Sequence, residues 1–161
     1  MSTAYWFSMV SRPKIYGINE YLNTIDSTNM EGMFYGWGAY SYGADTVNLS
    51  NLITDNVTNM SKMFANCWDT ISVSGMDRWN TSKVRDMSDM FKNTYIRSLM
   101  SIESWDVSNV TNMSGMLQGT QTLSENSIDL SEWNVCRVTN YSNFAIDYTG
   151  VLTLPNWGMS C

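Results

Sequence analysis

The carboxylates of Asp77, Glu103 and Asp129 are the groups in this sequence whose chemistry could serve acid–base catalysis or cation binding. Internal repetition places Asp77 and Glu103 at the same position of two successive segments, with Asp129 displaced by two residues. The chain has no histidine, no Gly-x-Ser-x-Gly elbow and no glycine-rich phosphate loop, so no nucleophile and base can be paired. We therefore expect a solvated acidic face on a protein that is not an enzyme and has no cofactor or metal. A calcium or other cation site is the alternative.

The cysteines offer no metal site either. Cys67, Cys136 and Cys161 lack the spacing of metal ligands, and since the chain also has no histidine we expect no zinc site. Their odd number leaves at least one thiol unpaired within the chain, and the sequence does not decide which cysteines are oxidised.

An aromatic segment, YGWGAYSYG from Tyr35 to Gly43, is the sharper candidate for recognition. It interleaves large rings with small residues, as binding loops do, because the rings lose little entropy on ordering while the small residues let the loop adapt. The alternative is that the segment folds back and its rings fill the core. The four candidate contact residues are Tyr35, Trp37, Tyr40 and Tyr42.

The composition excludes several classes of partner. The chain has 161 residues, of which 43% are hydrophobic, and it lacks a long apolar run, which predicts one globular domain without a transmembrane span. Its formal net charge is -6 and its nine lysines and arginines are scattered, so we expect no nucleic-acid partner and no membrane insertion. The N-terminal residues MSTAYWFSMVSRPK also lack the pattern of a signal peptide.

The candidate carboxylates, cysteines and aromatic residues belong to a sequence unit that is repeated along the chain. Its anchors recur at intervals of 30, 27, 26 and 28 residues, a period typical of solenoids. Apolar residues recur in the same places three and four positions after each anchor. The anchors are Met30, Met60, Met87, Met113 and Tyr141.

Each unit is predicted to contain a short helix and a strand. Val110, Met113, Met116 and Leu117 have the spacing of one helical face, and two earlier units repeat it. In the other half of the unit, apolar residues alternate as in IDLSEW from Ile128 to Trp133, which indicates a half-buried strand. The strands would stack in parallel and present an outward polar face. That face comprises Asn48, Ser50, Asp77, Ser101, Glu103, Asp129 and Ser131.

The phrase WDVSNVTNMSGM, from Trp105 to Met116, resembles the repeat of about 26 residues found in bacterial surface proteins. That family is related to leucine-rich repeats and includes surface lipoproteins of mycoplasmas, wall proteins of lactobacilli and some bacteriophage proteins. The resemblance implies a strand-plus-short-helix solenoid on the outside of a cell or particle, and it carries over no catalytic residues. The fifth copy departs from the pattern, with Tyr141 in place of methionine.

The expected architecture is an α/β repeat solenoid, leucine-rich-repeat-like, with about five coils, a parallel sheet and terminal caps. Residues 1–21 form an N-terminal cap segment, 22–149 the solenoid and 150–161 a C-terminal cap strand. We expect a surface-exposed binding module that attaches a phage particle or bacterial surface to a protein or glycan on a cell. The alternatives are a structural or decoration protein that contacts neighbouring subunits of an assembly, and an intracellular inhibitor or effector.

Overall fold

The computed structural model describes residues 1–9, 23–37, 46–68, 72–122 and 127–161. Tyr40 and Tyr42 lie outside the described residues, as do most of the expected cap segment at 1–21 and its boundary. The described residues form three parallel two-stranded pairs, β1 with β2, β3 with β4, and β5 with β6. The strands are β1 Thr46–Asn48, β2 Ser72–Ser74, β3 Tyr95–Ile96, β4 Gln121–Thr122, β5 Ser127–Asp129 and β6 Val151–Thr153, and two 3₁₀ helices span Met76–Arg78 and Met100–Ser104.

A ladder of parallel bridges joins the residues that precede the repeat anchors. Its members, in order, are Ser2, Asn29, Asn59, Asp86, Asn112 and Asn140. The side chains at these positions also fix the local turn, since Asn59 Oδ1 accepts the backbone N–H of Ser61 at 2.8 Å, and Asp86 Oδ1 that of Ser88 at 2.8 Å. Consecutive copies of the repeat therefore lie side by side and in parallel.

The expected short helices are not found in the described residues, where the segments after the anchors are turns. In residues 60–66, the N–H of Met63 bonds to the carbonyl of Met60 at 3.3 Å, and that of Ala65 to Lys62 at 3.0 Å. Lys62 has φ 56° and Asn66 has φ 57°, and a left-handed residue every four positions cannot belong to a right-handed helix. The equivalent positive-φ pairs are Gly32 and Gly36, Asp89 and Asn93, Gly115 and Gly119, and Asn143 and Asp147.

This double turn also connects neighbouring copies. Alternate backbone N–H groups point to the next copy, from Met60 to the Asp86 carbonyl at 2.9 Å, from Lys62 to Ser88 at 2.9 Å and from Phe64 to Met90 at 2.9 Å. A helix would have used these donors internally. The turns thus leave half of their donors free to hold the copies together.

The core consists of columns of equivalent side chains. Phe7, Phe34, Phe64 and Phe91 stack in sequence with ring centroids 5.5, 5.2 and 5.6 Å apart. The anchor methionines from Met30 to Met113 are fully buried beside them. Phe34 and Phe64 therefore each stack on the rings of both neighbouring copies, and stacked aromatic pairs of this kind stabilise a core.

Two of the expected strand segments are 3₁₀ helices instead. Asp77 lies in the helix Met76–Arg78, and Ser101 and Glu103 lie in the helix Met100–Ser104. In the second helix and at its two caps, Leu99, Ile102 and Trp105 are buried at three-residue spacing. This spacing matches the three residues per turn of a 3₁₀ helix better than the alternation of a strand. The continuous parallel sheet expected from the sequence is accordingly divided into separate pairs.

Both terminal segments pack on their neighbouring copies. Residues 1–9 repeat the double turn, with Tyr5 and Met9 both at φ 57°, so this part of the expected cap segment forms a further copy of the turn. At the other end, β6 pairs with β5 and a disulfide joins Cys136 to Cys161. The Trp157 ring stacks on Tyr141 with centroids 4.5 Å apart.

Cys67 is the free, buried cysteine, and it occupies a position that threonine fills in later copies. Its Sγ donates to the Phe34 carbonyl at 3.4 Å, as Thr120 Oγ1 donates to that of Phe91 at 2.6 Å. Thr94 Oγ1 makes the same bond to the Phe64 carbonyl. Burial raises the pKa of the Cys67 thiol from 9.0 to about 12, so the thiol acts as a weak hydrogen-bond donor and not as a reactive nucleophile.

Replacing Cys67 with threonine is therefore expected to change the free energy of unfolding at neutral pH by less than about 1 kcal/mol. Since the folded thiol holds its proton more tightly than the unfolded one, the wild type should lose stability relative to Cys67→Thr as pH rises above 9.0. The loss should approach about 1.4 kcal/mol per pH unit. Urea unfolding of both proteins across this range measures the difference, and parallel pH profiles would contradict the expectation.

Candidate functional site

Two of the three candidate carboxylates, Glu103 and Asp129, accept hydrogen bonds from the backbone. Glu103 Oε1 accepts the N–H of Asp129 at 2.8 Å, and Asp129 Oδ1 accepts the N–H of Ser131 at 3.0 Å. Hydrogen bonds from the backbone N–H of Ser131 and from its side chain lower the pKa of the Asp129 carboxyl group. Asp77 is exposed. In the described part of the chain, no three His, Cys, Asp or Glu side chains are grouped so that they could hold a metal ion.

The remaining residues of the expected polar face are also engaged locally. Asn48 Oδ1 accepts the Ser50 N–H at 3.0 Å, and the Ser101 carbonyl accepts the Ser104 hydroxyl at 3.2 Å. Ser50 borders a groove of about 420 Å³ that continues along residues 51–55 to Arg78 and Asn80. The structure brings Glu103, Asp129 and Ser131 together, but it does not gather all seven residues into one site.

The aromatic segment separates into a core residue and a surface residue. The Trp37 side chain is 1% exposed, and its ring stacks on Phe34 with centroids 5.0 Å apart. The Trp37 ring therefore fills the core, which is the alternative stated for this segment, and it is not presented to a ligand in this structure. Tyr35 is half-buried at the edge of the double turn, and it lies in a second groove.

This second groove, the tyrosine groove, has a volume of about 330 Å³ and lies across the outer edge of four consecutive double turns. Its side chains come from equivalent positions of those turns, two, five or six residues after the anchor. Positive φ at positions two and six turns the chain there. The groove is lined by Tyr5, Tyr35, Lys62, Ala65, Asn66, Asp89, Lys92 and Asn93.

Hydrogen bonds fix both tyrosine rings of the groove. The Tyr5 hydroxyl donates to Glu31 Oε1 at 3.0 Å, and Asn66 Nδ2 donates to the Tyr35 hydroxyl at 2.7 Å. The ring centroids are 6.2 Å apart at an interplanar angle of 60°. Burial, followed by the bond to Glu31 and its charge, raises the pKa of Tyr5. Both rings are therefore held in place, and the Tyr5 hydroxyl keeps its proton at physiological pH.

The charged side chains that line the groove have partners of opposite charge in it or beside it. Lys62 Nζ lies 3.5 Å from Glu31 Oε1, and Lys92 Nζ lies 3.2 Å from Asp89 Oδ1. Such exposed pairs contribute little to stability, but they leave no strong excess of either sign. Asn93 Nδ2 donates to Asn66 Oδ1 at 3.2 Å, which continues the polar surface across the copies. The arrangement can hold a ligand by hydrogen bonds and ring contacts, and it contains no nucleophile activated by a base.

Sequence reasoning found Tyr35 and missed the rest of this groove. The available signal was the recurrence of glycine, asparagine or aspartate four residues apart after four of the five anchors, as in Gly32 and Gly36 or Asp89 and Asn93. These residue types tolerate positive φ. The recurrence of these residue types would have predicted turns at these positions, on the outer edge of each copy.

No helix in the described ranges combines the length and apolar character required to cross a lipid bilayer.

Comparison with known proteins gives a family but no function. A family model with the description "Mycoplasma protein of unknown function, DUF285" matches residues 3–96, and it matches again at residues 60–150. No curated protein matches significantly. No solved structure does so either.

Proposed function

We propose, from the premise that the chain belongs to this Mycoplasma family of unknown function, that the protein is a non-catalytic binding module on the exterior of a cell or particle. In this proposal the side-by-side copies form a leucine-rich-repeat-like solenoid that serves as a rigid scaffold. The parallel bridges from Ser2 to Asn140 support it. The module would attach its bearer to a protein or glycan on a cell surface.

The observation that carries the proposal is the tyrosine groove. Tyr5 is 42% exposed although its hydroxyl is bound, so the ring face is presented to solvent on a fixed support. Tyrosine supplies contact area at low entropic cost. The backbone bonds from Gly32 to Ser61 and from Lys62 to Ser88, both at 2.9 Å, keep the turns in position. A preorganised surface loses less free energy on binding than a mobile one.

An exterior location is supported by the disulfide between Cys136 and Cys161. Disulfides persist in oxidising environments and are rare in the cytosol. The resemblance of Trp105–Met116 to the surface-protein repeat of mycoplasmas, lactobacilli and phages points the same way. The same disulfide weighs against the intracellular inhibitor.

A structural role in an assembly is the second candidate, favoured by apolar side chains that are exposed at both ends of the stack. Met9 in the first copy and Val151 in β6 are each 62% exposed. Contiguous exposed apolar surface often marks a contact with another protein. In this alternative the end copies would contact neighbouring subunits of a virion or surface assembly.

A cell-binding assay tests the attachment role. Fluorescently labelled protein is titrated onto intact bacterial and animal cells, and the wild type is compared with Tyr5→Asn combined with Tyr35→Ala. Asparagine is chosen because it accepts the φ of 57° at position 5. We expect saturable binding of the wild type, weakened at least about tenfold in the double variant, a loss of about 1.4 kcal/mol.

The matched control is Trp68→Ala, which removes an aromatic side chain that is 60% exposed and does not line the groove. This variant should bind as the wild type does. Binding to no cell type by the folded wild type, or equal losses in both variants, would reject attachment through the groove.

A further inference from the structure

We propose that the tyrosine groove recognises a neutral, linear oligosaccharide that lies across the stacked copies. This inference rests on the proposed function and specifies its ligand. It follows from three features of the groove, namely its internal charge pairing, its combination of rings with amides, and the distance between successive copies.

The first feature, the pairing of the charges in the groove, favours a neutral ligand over an ionic one. Both lysines of the groove already have carboxylate partners, Lys62 with Glu31 and Lys92 with Asp89. An anionic ligand would have to displace these carboxylates, and a cationic ligand would have to displace the lysines. A neutral ligand rich in hydroxyl groups can instead bond to both members of each pair, since the carboxylates accept and the ammonium groups donate.

The second feature matches the two kinds of surface of a pyranose. A sugar ring has a face of C–H groups that packs on an aromatic ring, and an edge of hydroxyl groups that both donate and accept. The groove offers the Tyr5 and Tyr35 rings together with the amides of Asn66 and Asn93. Each amide uses one N–H within the groove, and its second N–H is left for a ligand oxygen.

The third feature is the period of the groove. Equivalent rings in adjacent copies, Phe34, Phe64 and Phe91, are 5.2 and 5.6 Å apart. A linear chain of equatorially linked pyranoses advances by a similar distance per sugar, so one sugar can contact each copy. An extended peptide advances by about 3.3–3.6 Å per residue, and its same-side residues by about twice that, so it would drift out of register with the copies.

The test is calorimetric titration of the full chain with two neutral hexasaccharides, cellohexaose and chitohexaose, and with an acidic comparator, an oligogalacturonate of equal length. We expect at least one neutral hexasaccharide to bind with an affinity that hardly changes with salt, because no ion pairs form. Tyr35→Ala and Asn66→Gly should each weaken it at least about tenfold, while Trp68→Ala should not. Circular dichroism confirms that each variant is folded.

Three results would overturn the inference: no binding of either neutral hexasaccharide by the folded wild type, equal affinity in wild type and groove variants, or preferential binding of oligogalacturonate that weakens with salt. The cell assay separates this failure from that of the proposed function. If cells bind the wild type through the groove, and binding survives periodate oxidation of their glycans but not protease treatment, attachment stands and the ligand is a protein. Loss of binding after periodate alone supports the oligosaccharide.

Discussion

Replacing Gly75 with alanine is expected to lower the free energy of unfolding by about 2–4 kcal/mol. Gly75 has φ 88°, and a Cβ atom there would lie 2.4 Å from the backbone nitrogen of Ser50 and 2.5 Å from its Cα. The obstacle is backbone in the neighbouring copy, so it cannot be relieved by a rotamer change. Equilibrium urea unfolding monitored by tryptophan fluorescence measures the loss.

Gly158→Ala is the matched control, because the nearest atom to a Cβ at that position is Asn156 Oδ1 at 3.6 Å, which is an ordinary contact. It should change the free energy of unfolding by less than about 0.5 kcal/mol. If the two alanine variants were equally stable, the close approach of Gly75 to Ser50 would not exist in solution.

Reduction of the Cys136–Cys161 disulfide is expected to cost about 3 kcal/mol of stability, since it releases a loop with a sequence separation of 25 residues. We expect the packing of the C-terminal end to loosen first. There Trp157 stacks on Tyr141 and contacts Phe144 edge to face, with ring centroids 5.0 Å apart. Urea unfolding with and without a phosphine reductant gives the difference. Near-ultraviolet circular dichroism follows the aromatic contacts.

The double variant Cys136→Ser with Cys161→Ser provides the control. It should start at the stability of the reduced wild type and be insensitive to the reductant, because Cys67 is buried and unpaired. A stabilising effect of reductant on the wild type, or a variant as stable as the oxidised protein, would contradict the assigned role of the bond.

The repeat spacing was readable from the sequence because its strongest signal is the burial of the same positions in the four copies with an anchor methionine. The anchor methionines, and the residues three and four positions later, occupy the core in the structure. The same spacing also led us to predict short helices, where the structure has turns. A β-turn also brings residues i and i+3 to one side, so Met60, Met63 and Phe64 fit both structures, and only the left-handed φ of Lys62 and Asn66 separates them. Lysine at position 62 gives little indication of such a φ.

The candidate site was less accessible to prediction for a different reason. Tyr35 could be identified by its type and setting, but the groove also needs Tyr5, which lies 30 positions earlier and meets Tyr35 through the stacking of two copies. Trp37 was a plausible contact from its neighbours in sequence, yet its ring meets Phe34 in the core. The backbone φ values of a turn decide whether a side chain points to the core or to the surface. The sequence indicates these values only where glycine or asparagine is present.

The ladder of bridges also bears on how the chain folds. Every rung joins residues between 26 and 30 positions apart, from Ser2 and Asn29 to Asn112 and Asn140. The entropy lost in closing a loop depends on its length, so each copy that docks onto a folded neighbour faces nearly the same barrier as the one before it. Folding can begin at any adjacent pair and spread in both directions. In a chain with more copies, the number of loop closures would rise, but the entropy lost in each closure would stay the same.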